Sequence, residues 1–424
     1  MMAIFFKRQF LIILFFISIT TLRAQDVPVV KPEVAGFSGE RLQRLTDVFQ
    51  AYATDKKMAG SVILIMRHGK IAYFNAFGKR DIESGSVMRN DAIFRIASQS
   101  KAVISTGIMM LQEEGKLLIT DPVGKYLPEF KETSVAEPKE GGGYNIVKAK
   151  RAMTIRDLLT HTAGIGYGYG IAADKWQEAG IQGWYFADRD EPIAATISRL
   201  AALPMEAHPG EKYVYGYATD ILGVVIEKVS GKPLNEFLAT RIFTPLGMKD
   251  THFYLPDSKT DRLVTVYSAS ADKPLERAPD EGTMISQGAY VKGPRKSFSG
   301  GAGLLSTAAD YAKFLQMFLN GGTANGKRIL SRKTVELMTV SHMGKINFRS
   351  GEGFGLGFSV CEDIGQRGTP GSVGEYGWGG AYGSTYWVDP REDMVVVYFK
   401  QLIPANNLDD HAKLRALIYQ AIAD

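Results

Sequence analysis

Phe94-Arg95-Ile96-Ala97-Ser98-Gln99-Ser100-Lys101 runs straight into Ala102-Val103-Ile104-Ser105-Thr106-Gly107-Ile108-Met109-Met110-Leu111, which places a Ser-x-x-Lys at the mouth of an apolar helix. Residues three apart on a helix are neighbours, so with Ser98 in the first turn the Lys101 ammonium can reach its hydroxyl. A hydroxyl beside an amine is a candidate activated nucleophile. The plainer reading is a serine that caps the helix. A second copy, Ser270-Ala271-Asp272-Lys273, is followed at once by Pro274. Proline disfavours helix in the residue before it, so that copy reads as a surface turn. The first copy has Ile104, Ile108 and Leu111 at helical spacing, then Glu113, Glu114 and the terminating Gly115.

Upstream, Ser61 to Arg67 and Ile71 to Phe77 flank His68-Gly69-Lys70, which predicts a β-hairpin with His68 as a solvated turn residue. A helix is expected before it, over about Ser38 to Tyr52. At the N-terminus, Lys7 and Arg8 precede the apolar run Phe10 to Ile19, and Ala24 is a small residue placed for cleavage. This is the make-up of a secretory signal over residues 1–24, too short in its apolar part to span a bilayer comfortably. Export to the periplasm or beyond is therefore expected, with no stable membrane anchor after cleavage. The only cysteine, Cys361, can form no internal disulfide and reads as a small buried hydrophobe.

Downstream, Asp121-Pro122-Val123 to Pro128 reads as a turn and Gly141-Gly142-Gly143 as a polar loop. Thr154 to Gly164 reads as a short capped helix with a glycine stop, in which His161 is expected to be structural. The segment from Gly164 to Pro192 carries Tyr167, Tyr169, Trp176, Trp184, Tyr185 and Phe186, and either packs as an irregular lid or lines an apolar pocket. Pro209-Gly210 delivers Tyr213, Tyr215 and Tyr217 to the entrance of another apolar helix. Gly374 to Pro390 is a glycine-rich strand region containing Trp378-Gly379-Gly380-Ala381, where glycines permit close approach of a backbone or a ligand. Met394 to Phe399 reads as a last strand, and Leu414, Leu417, Ile418 and Ile422 as a terminal amphipathic helix.

With 45% apolar, 22% charged and 11% aromatic residues over 424 positions, the chain has core enough for a folded protein of more than one subdomain, and disordered or fibrous classes drop out. The signal holds Lys7, Arg8 and Arg23 and no acid, which leaves 47 basic against 45 acidic residues in the mature chain. That near balance gives no reason to expect a nucleic-acid partner. The six histidines form no metal-ligand spacing. No metal or cofactor is expected, and no Gly-x-Ser-x-Gly elbow supplies a rival nucleophile.

Taken in order, these blocks resemble the serine β-lactamase and penicillin-binding-protein superfamily, most closely its class C-like esterase branch, the family VIII carboxylesterases. The resemblance runs from about residue 35 to the C-terminus. It rests on Phe94 to Lys101, Asp121-Pro122-Val123 with Tyr126-Leu127-Pro128, and Leu158-Leu159-Thr160-His161-Thr162-Ala163-Gly164. It continues through Pro209-Gly210 with Tyr215, Asp220-Ile221-Leu222-Gly223, Pro245-Leu246-Gly247-Met248 with Thr251, Gly300-Gly301-Ala302-Gly303-Leu304 and Trp378-Gly379-Gly380.

The resemblance implies an antiparallel sheet flanked by helices, an α/β subdomain over about 30–120 and 296–424, and an inserted, mainly helical subdomain over about 121–295. It makes Ser98 the acylated nucleophile, Lys101 its activating partner and Tyr215 the proton shuttle. It pairs the backbone N–H groups of Ser98 and Ala381 as an oxyanion hole and places Trp378, Gly379, Gly380 and Tyr217 against the substrate. A tyrosine near an ammonium is a credible base, because the positive charge stabilises the phenolate. Two departures bear on the substrate. Trp378 stands where a cationic residue usually helps to hold a substrate carboxylate, and Tyr217 stands where an Asn or Ser is usual. Both favour an uncharged ester, so the expected activity is hydrolysis of small carboxylic esters or amides through an acyl-enzyme, with acyl transfer as a variant. The alternatives are a β-lactamase or D-stereospecific peptidase on cell-wall fragments, and a non-catalytic binding protein that keeps the fold. The oligomeric state is left open.

Overall fold

The computed structural model describes residues 27–270, 273–282, 284–405 and 408–424. The signal segment 1–24 lies outside the described residues. So do Ala271 and Asp272, the middle of the second Ser-x-x-Lys. Its outer residues, Ser270 and Lys273, pair with each other as members of two short strands, Tyr267–Ser270 and Lys273–Arg277.

Among the described residues the first α-helix is α1 (Gly39–Thr54), started by Ser38, whose hydroxyl accepts from the Arg41 N–H at 3.2 Å. The expected hairpin follows as β1 (Gly60–Arg67) and β2 (Lys70–Asp81), then the short β3 (Ser86–Val87) and helix α2 (Ser100–Glu113). Next come α3 (Ile155–Leu159), α4 (Ala218–Ser230) and α5 (Ala308–Leu319). The chain then returns to the sheet through β4 (Glu352–Phe354), β5 (Ser359–Cys361), β6 (Tyr376–Gly379), β7 (Thr385–Asp389) and β8 (Met394–Lys400), and closes with α6 (Asp410–Tyr419). These strands form one sheet of eight in the order β4-β5-β6-β7-β8-β1-β2-β3. Every pairing in it is antiparallel.

The two central strands explain why their sequence is an unbroken apolar run rather than an alternation. A strand turns successive side chains to opposite faces. Val62, Leu64 and Met66 of β1, with Val395, Val397 and Phe399 of β8, enter the core shared with α2 and α5. Ile63, Ile65, Val396 and Tyr398 enter a second core with Leu45 and Phe49 of α1 and Leu414 and Ile418 of α6. Each such side chain contributes about 1.5–3 kcal/mol on burial. The register is continuous, from Ser61 opposite Lys400 to Arg67 opposite Met394.

The segment between α2 and α5 is less uniformly helical than expected. Gly141-Gly142-Gly143, read as a loop, is the turn of a hairpin whose strands are Ser134–Pro138 and Tyr144–Lys148. Only the adjacent Val135 and Ala136 of these strands are buried, and Ile146 lies in solvent, so they carry no clear apolar alternation. Among the described residues no helix is long and apolar enough to cross a membrane.

Candidate active site

Ser98 lies in a tight 3-10 turn, Ala97–Gln99, that enters α2 at Ser100. It does not cap the helix: the capping position falls on Gln99, and no side chain makes a cap bond there. The Ser98 hydroxyl is instead free to accept from Lys101 Nζ, at 3.3 Å. The preceding Ala97 holds φ at +44°, a left-handed conformation that costs a residue with a Cβ on the order of 1 kcal/mol. Its surroundings enforce it. Phe94 and Arg95 pair with Ser306 and Leu305, and the Ile96 N–H bonds the Leu304 carbonyl at 3.0 Å. The buried Arg95 guanidinium bonds the carbonyls of Gln287 and Val264 at 2.8 and 2.6 Å.

Lys101 is 2% exposed, and its three donors are all engaged: the Gly301 carbonyl at 2.8 Å, the Tyr167 hydroxyl at 3.2 Å and Ser98. The carbonyl is itself held in place. Asp220, in the first turn of α4, accepts from the Gly301 N–H at 3.0 Å and from the Ser299 hydroxyl at 2.6 Å. Burial pushes the Asp220 pKa up, and those two donors work against it. Gly301 has to be glycine, since a Cβ there would stand 2.3 Å from Asp220 Oδ2. The Asp220 and Gly300 to Leu304 blocks of the sequence thus meet at Gly301, whose carbonyl holds Lys101.

Tyr215 sits just before α4 and lays its ring 4.6 Å from Lys101 Nζ. Its hydroxyl accepts from the indole N–H of Trp378 at 3.0 Å. Tyr215 and Ser98 make no hydrogen bond to one another. Trp378 and Gly379 end β6, beyond Gly377, where the pairing with β5 stops, so this stretch of strand edge faces the cleft. Gly380 packs against the turn before Ser98, where a Cβ would come 2.7 Å from the Ile96 carbonyl. Beyond it Ala381 lines the same cleft as Ser98. Among the described residues, no protein acceptor engages the backbone N–H of Ser98 or of Ala381, so both donors are open to a ligand.

The structure therefore gathers Ser98, Tyr215 and Trp378 to Ala381 around one cleft of about 450 Å³, with Lys101 buried behind Ser98. Tyr217 departs from its expected place. It is fully buried, its hydroxyl donates to the Gly183 carbonyl at 2.5 Å, and its ring stacks on Trp176 at 5.9 Å. The aromatic wall comes instead from Tyr167 and Trp184, so the Gly164 to Pro192 segment both lines the cleft and packs, with Trp176 and Phe186 buried behind. Burial pushes the Tyr167 pKa well above the ordinary tyrosine value, so its hydroxyl stays neutral. Trp378 is more than a lost cation, because its N–H is the partner of the Tyr215 hydroxyl. A larger cavity of about 1000 Å³ opens beside Arg80, Arg277 and Lys292, but neither Ser98 nor Tyr215 lines it.

His161 packs its ring 4.6 Å from that of Tyr215 and is buried, with Nδ1 unpartnered. Burial, and then Lys101, pushes its pKa well below the ordinary histidine value. His252 is pushed down to about 4 by burial and then by Lys259. Both rings stay neutral in the folded chain at pH values where the unfolded chain is protonated. The unfolded state thus binds more protons below about pH 6.5, and stability falls with pH there. The urea midpoint is expected to hold above about pH 6.5 and to fall steadily toward pH 4, and His252→Asn is expected to flatten that slope.

The chain matches the Beta-lactamase family over residues 45–420. An uncharacterized protein of Mycobacterium tuberculosis is 32% identical, covering 83% of this chain and 88% of that one. Esterase EstB of Burkholderia gladioli is 31% identical, covering 82% and 86%. Among solved structures, EstCE1, described as a hydrolase with promiscuous acyltransferase activity, superposes with a TM-score of 0.76 at 30% identity. That match covers 89% of this chain and 98% of EstCE1.

Proposed function

The chain belongs to the Beta-lactamase family as a serine hydrolase of its esterase branch, and from that premise we propose that it hydrolyses carboxylic esters through an acyl-enzyme on Ser98. The observation that carries this reading is the Ser98 hydroxyl unspent on capping and bonded at 3.3 Å to a lysine whose other donors are fixed. Tyr215, whose ring lies against the Lys101 ammonium, takes the hydroxyl proton as Ser98 Oγ attacks the ester carbonyl. The oxyanion is received by the N–H groups of Ser98 and Ala381, worth roughly 2.7–4 kcal/mol per donor where one has been removed elsewhere. Collapse breaks the bond to the alkoxide, which leaves with a proton from Tyr215. Water then repeats the sequence on the acyl-enzyme, with Tyr215 taking its proton and Ser98 regaining one.

Acyl transfer to an alcohol follows the same steps with that alcohol in place of water, and the acyltransferase activity described for EstCE1 supports it. Residues 1–24 are proposed to direct export. Intact-mass spectrometry after brief exposure to 4-nitrophenyl butyrate, nitrocefin and a D-Ala-D-Ala peptide tests the reading. A butyryl adduct on the Ser98 peptide, with the ester turned over faster than the other two, is the expected result. Faster turnover of the β-lactam or the peptide overturns it, and so does a chain that no fluorophosphonate labels.

A further inference from the structure

We propose that Arg349 holds a carboxylate on the substrate, so that the preferred esters are anionic, an inference that rests on the ester-hydrolase reading above. The guanidinium of Arg349 lies 5.0 Å from the ring centre of Trp378 and 4.9 Å from that of Phe348. It lines the same cleft as Ser98, with its side chain 58% exposed. Two aromatic faces fix the plane of the group without consuming its donors. Among the described residues the Arg349 guanidinium makes no hydrogen bond, and only the backbone carbonyl of Arg349 accepts one, from the Glu352 N–H at 3.1 Å. Its one acidic neighbour, Glu352, stands 3.6 Å away, and the facing carboxylate oxygen is buried without a hydrogen-bond partner.

A planar, fixed fork of N–H groups is what binds a carboxylate in bidentate fashion. The wall around it favours an anion. Arg349, Arg367 and Arg415 face the cleft against Glu352 and Glu375, and Glu375 is already bonded to both Arg367 and Arg415. The position is equally specific. Trp378 bonds the Tyr215 hydroxyl on one side and carries Arg349 against its ring, so the charge sits one indole away from the reacting groups. The strand that lost its cation at residue 378 has thus been given one from the loop before β4. A carboxylate separated from the ester by a short spacer fits this arrangement, whether the acyl part or the alcohol part bears it.

The test compares kcat/KM for two matched pairs in wild type, Arg349→Met and Arg349→Lys. Mono-4-nitrophenyl adipate against 4-nitrophenyl hexanoate places the carboxylate on the acyl side. 4-Acetoxybenzoate against its methyl ester places it on the leaving group. In at least one pair the anionic-to-neutral ratio is expected to fall about tenfold in Arg349→Met, to be partly retained in Arg349→Lys, and to shrink in wild type with added salt. The pair that responds identifies the side. Ratios unchanged in both pairs, with the neutral esters still hydrolysed by wild type, overturn the inference alone. Wild type that hydrolyses none of the four esters overturns the ester reading, and the inference falls with it.

Discussion

Ser98→Ala is expected to lower ester turnover about ten-thousand-fold or more and to abolish the acyl adduct, while leaving the thermal midpoint close to that of wild type. Removing the nucleophile of a comparable serine hydrolase costs on the order of 10⁶ in kcat, and what remains comes from the oxyanion donors and binding. Here the donors are backbone groups and survive the substitution. The stability side follows from the contacts: the Ser98 hydroxyl caps nothing and has Lys101 as its hydrogen-bond partner, at 3.3 Å. A large fall in activity without a fall in stability separates a nucleophile from a structural serine. Initial rates with 4-nitrophenyl butyrate, intact-mass spectra and a melting curve on the same preparation check it. Adducts forming equally well on the variant would sink the mechanism.

Lys101→Met is expected to cost about a thousandfold or more in kcat with little change in KM, since the lysine acts on the serine and not on the bound ester. Methionine keeps an unbranched chain, one atom shorter than that of lysine, and removes every donor at its tip. The Gly301 carbonyl and the Tyr167 hydroxyl then lose a buried partner, which costs roughly 1–3 kcal/mol for an unsatisfied buried group. Both readouts are therefore expected to move, and a second substitution sorts them. Tyr167→Phe removes the neutral hydroxyl that accepts from Lys101 but leaves the lysine on Gly301 and Ser98, so its kcat should fall far less. Steady-state kinetics with urea unfolding of both variants check this, and equal losses of kcat in the two would show that Lys101 acts through packing.

The contact of Ser98 with Lys101 was legible in the sequence because helical spacing fixes which residues meet within one turn, and the two need nothing more to meet. The central strands were legible because two packed faces leave an apolar run that no solvated strand would carry. What stayed hidden depends on distant parts of the chain. Tyr217 looks equivalent to Tyr215 at two residues' remove. Yet Gly216 lies so close to Ile165 and Gly166 that a Cβ there would stand 2.3 Å from their backbone, and past that contact the chain turns inward into α4. Tyr167 takes the wall position from a glycine-rich segment with no period to read. Arg349 precedes Trp378 by more than a strand, and only the sheet brings the guanidinium onto the indole. Asp220 and Gly301 were visible as blocks without a role, because their bond spans 81 residues.

The two-faced central strands also shape how such an enzyme can diversify over generations of mutation. A slip of one residue between β1 and β8 would exchange the side chains of the two cores, so that register cannot drift by small steps. The edge bearing Trp378 to Ala381 is tied to it through β7, and Gly380 leaves no clearance against Ile96. Lineages of this chain therefore inherit the alignment of Ser98 with Ala381 whole or lose it whole. Heritable variation in what is hydrolysed is channelled into the segments that only lean on the strands, the loop of Phe348 and Arg349 and the aromatic stretch of Tyr167 and Trp184.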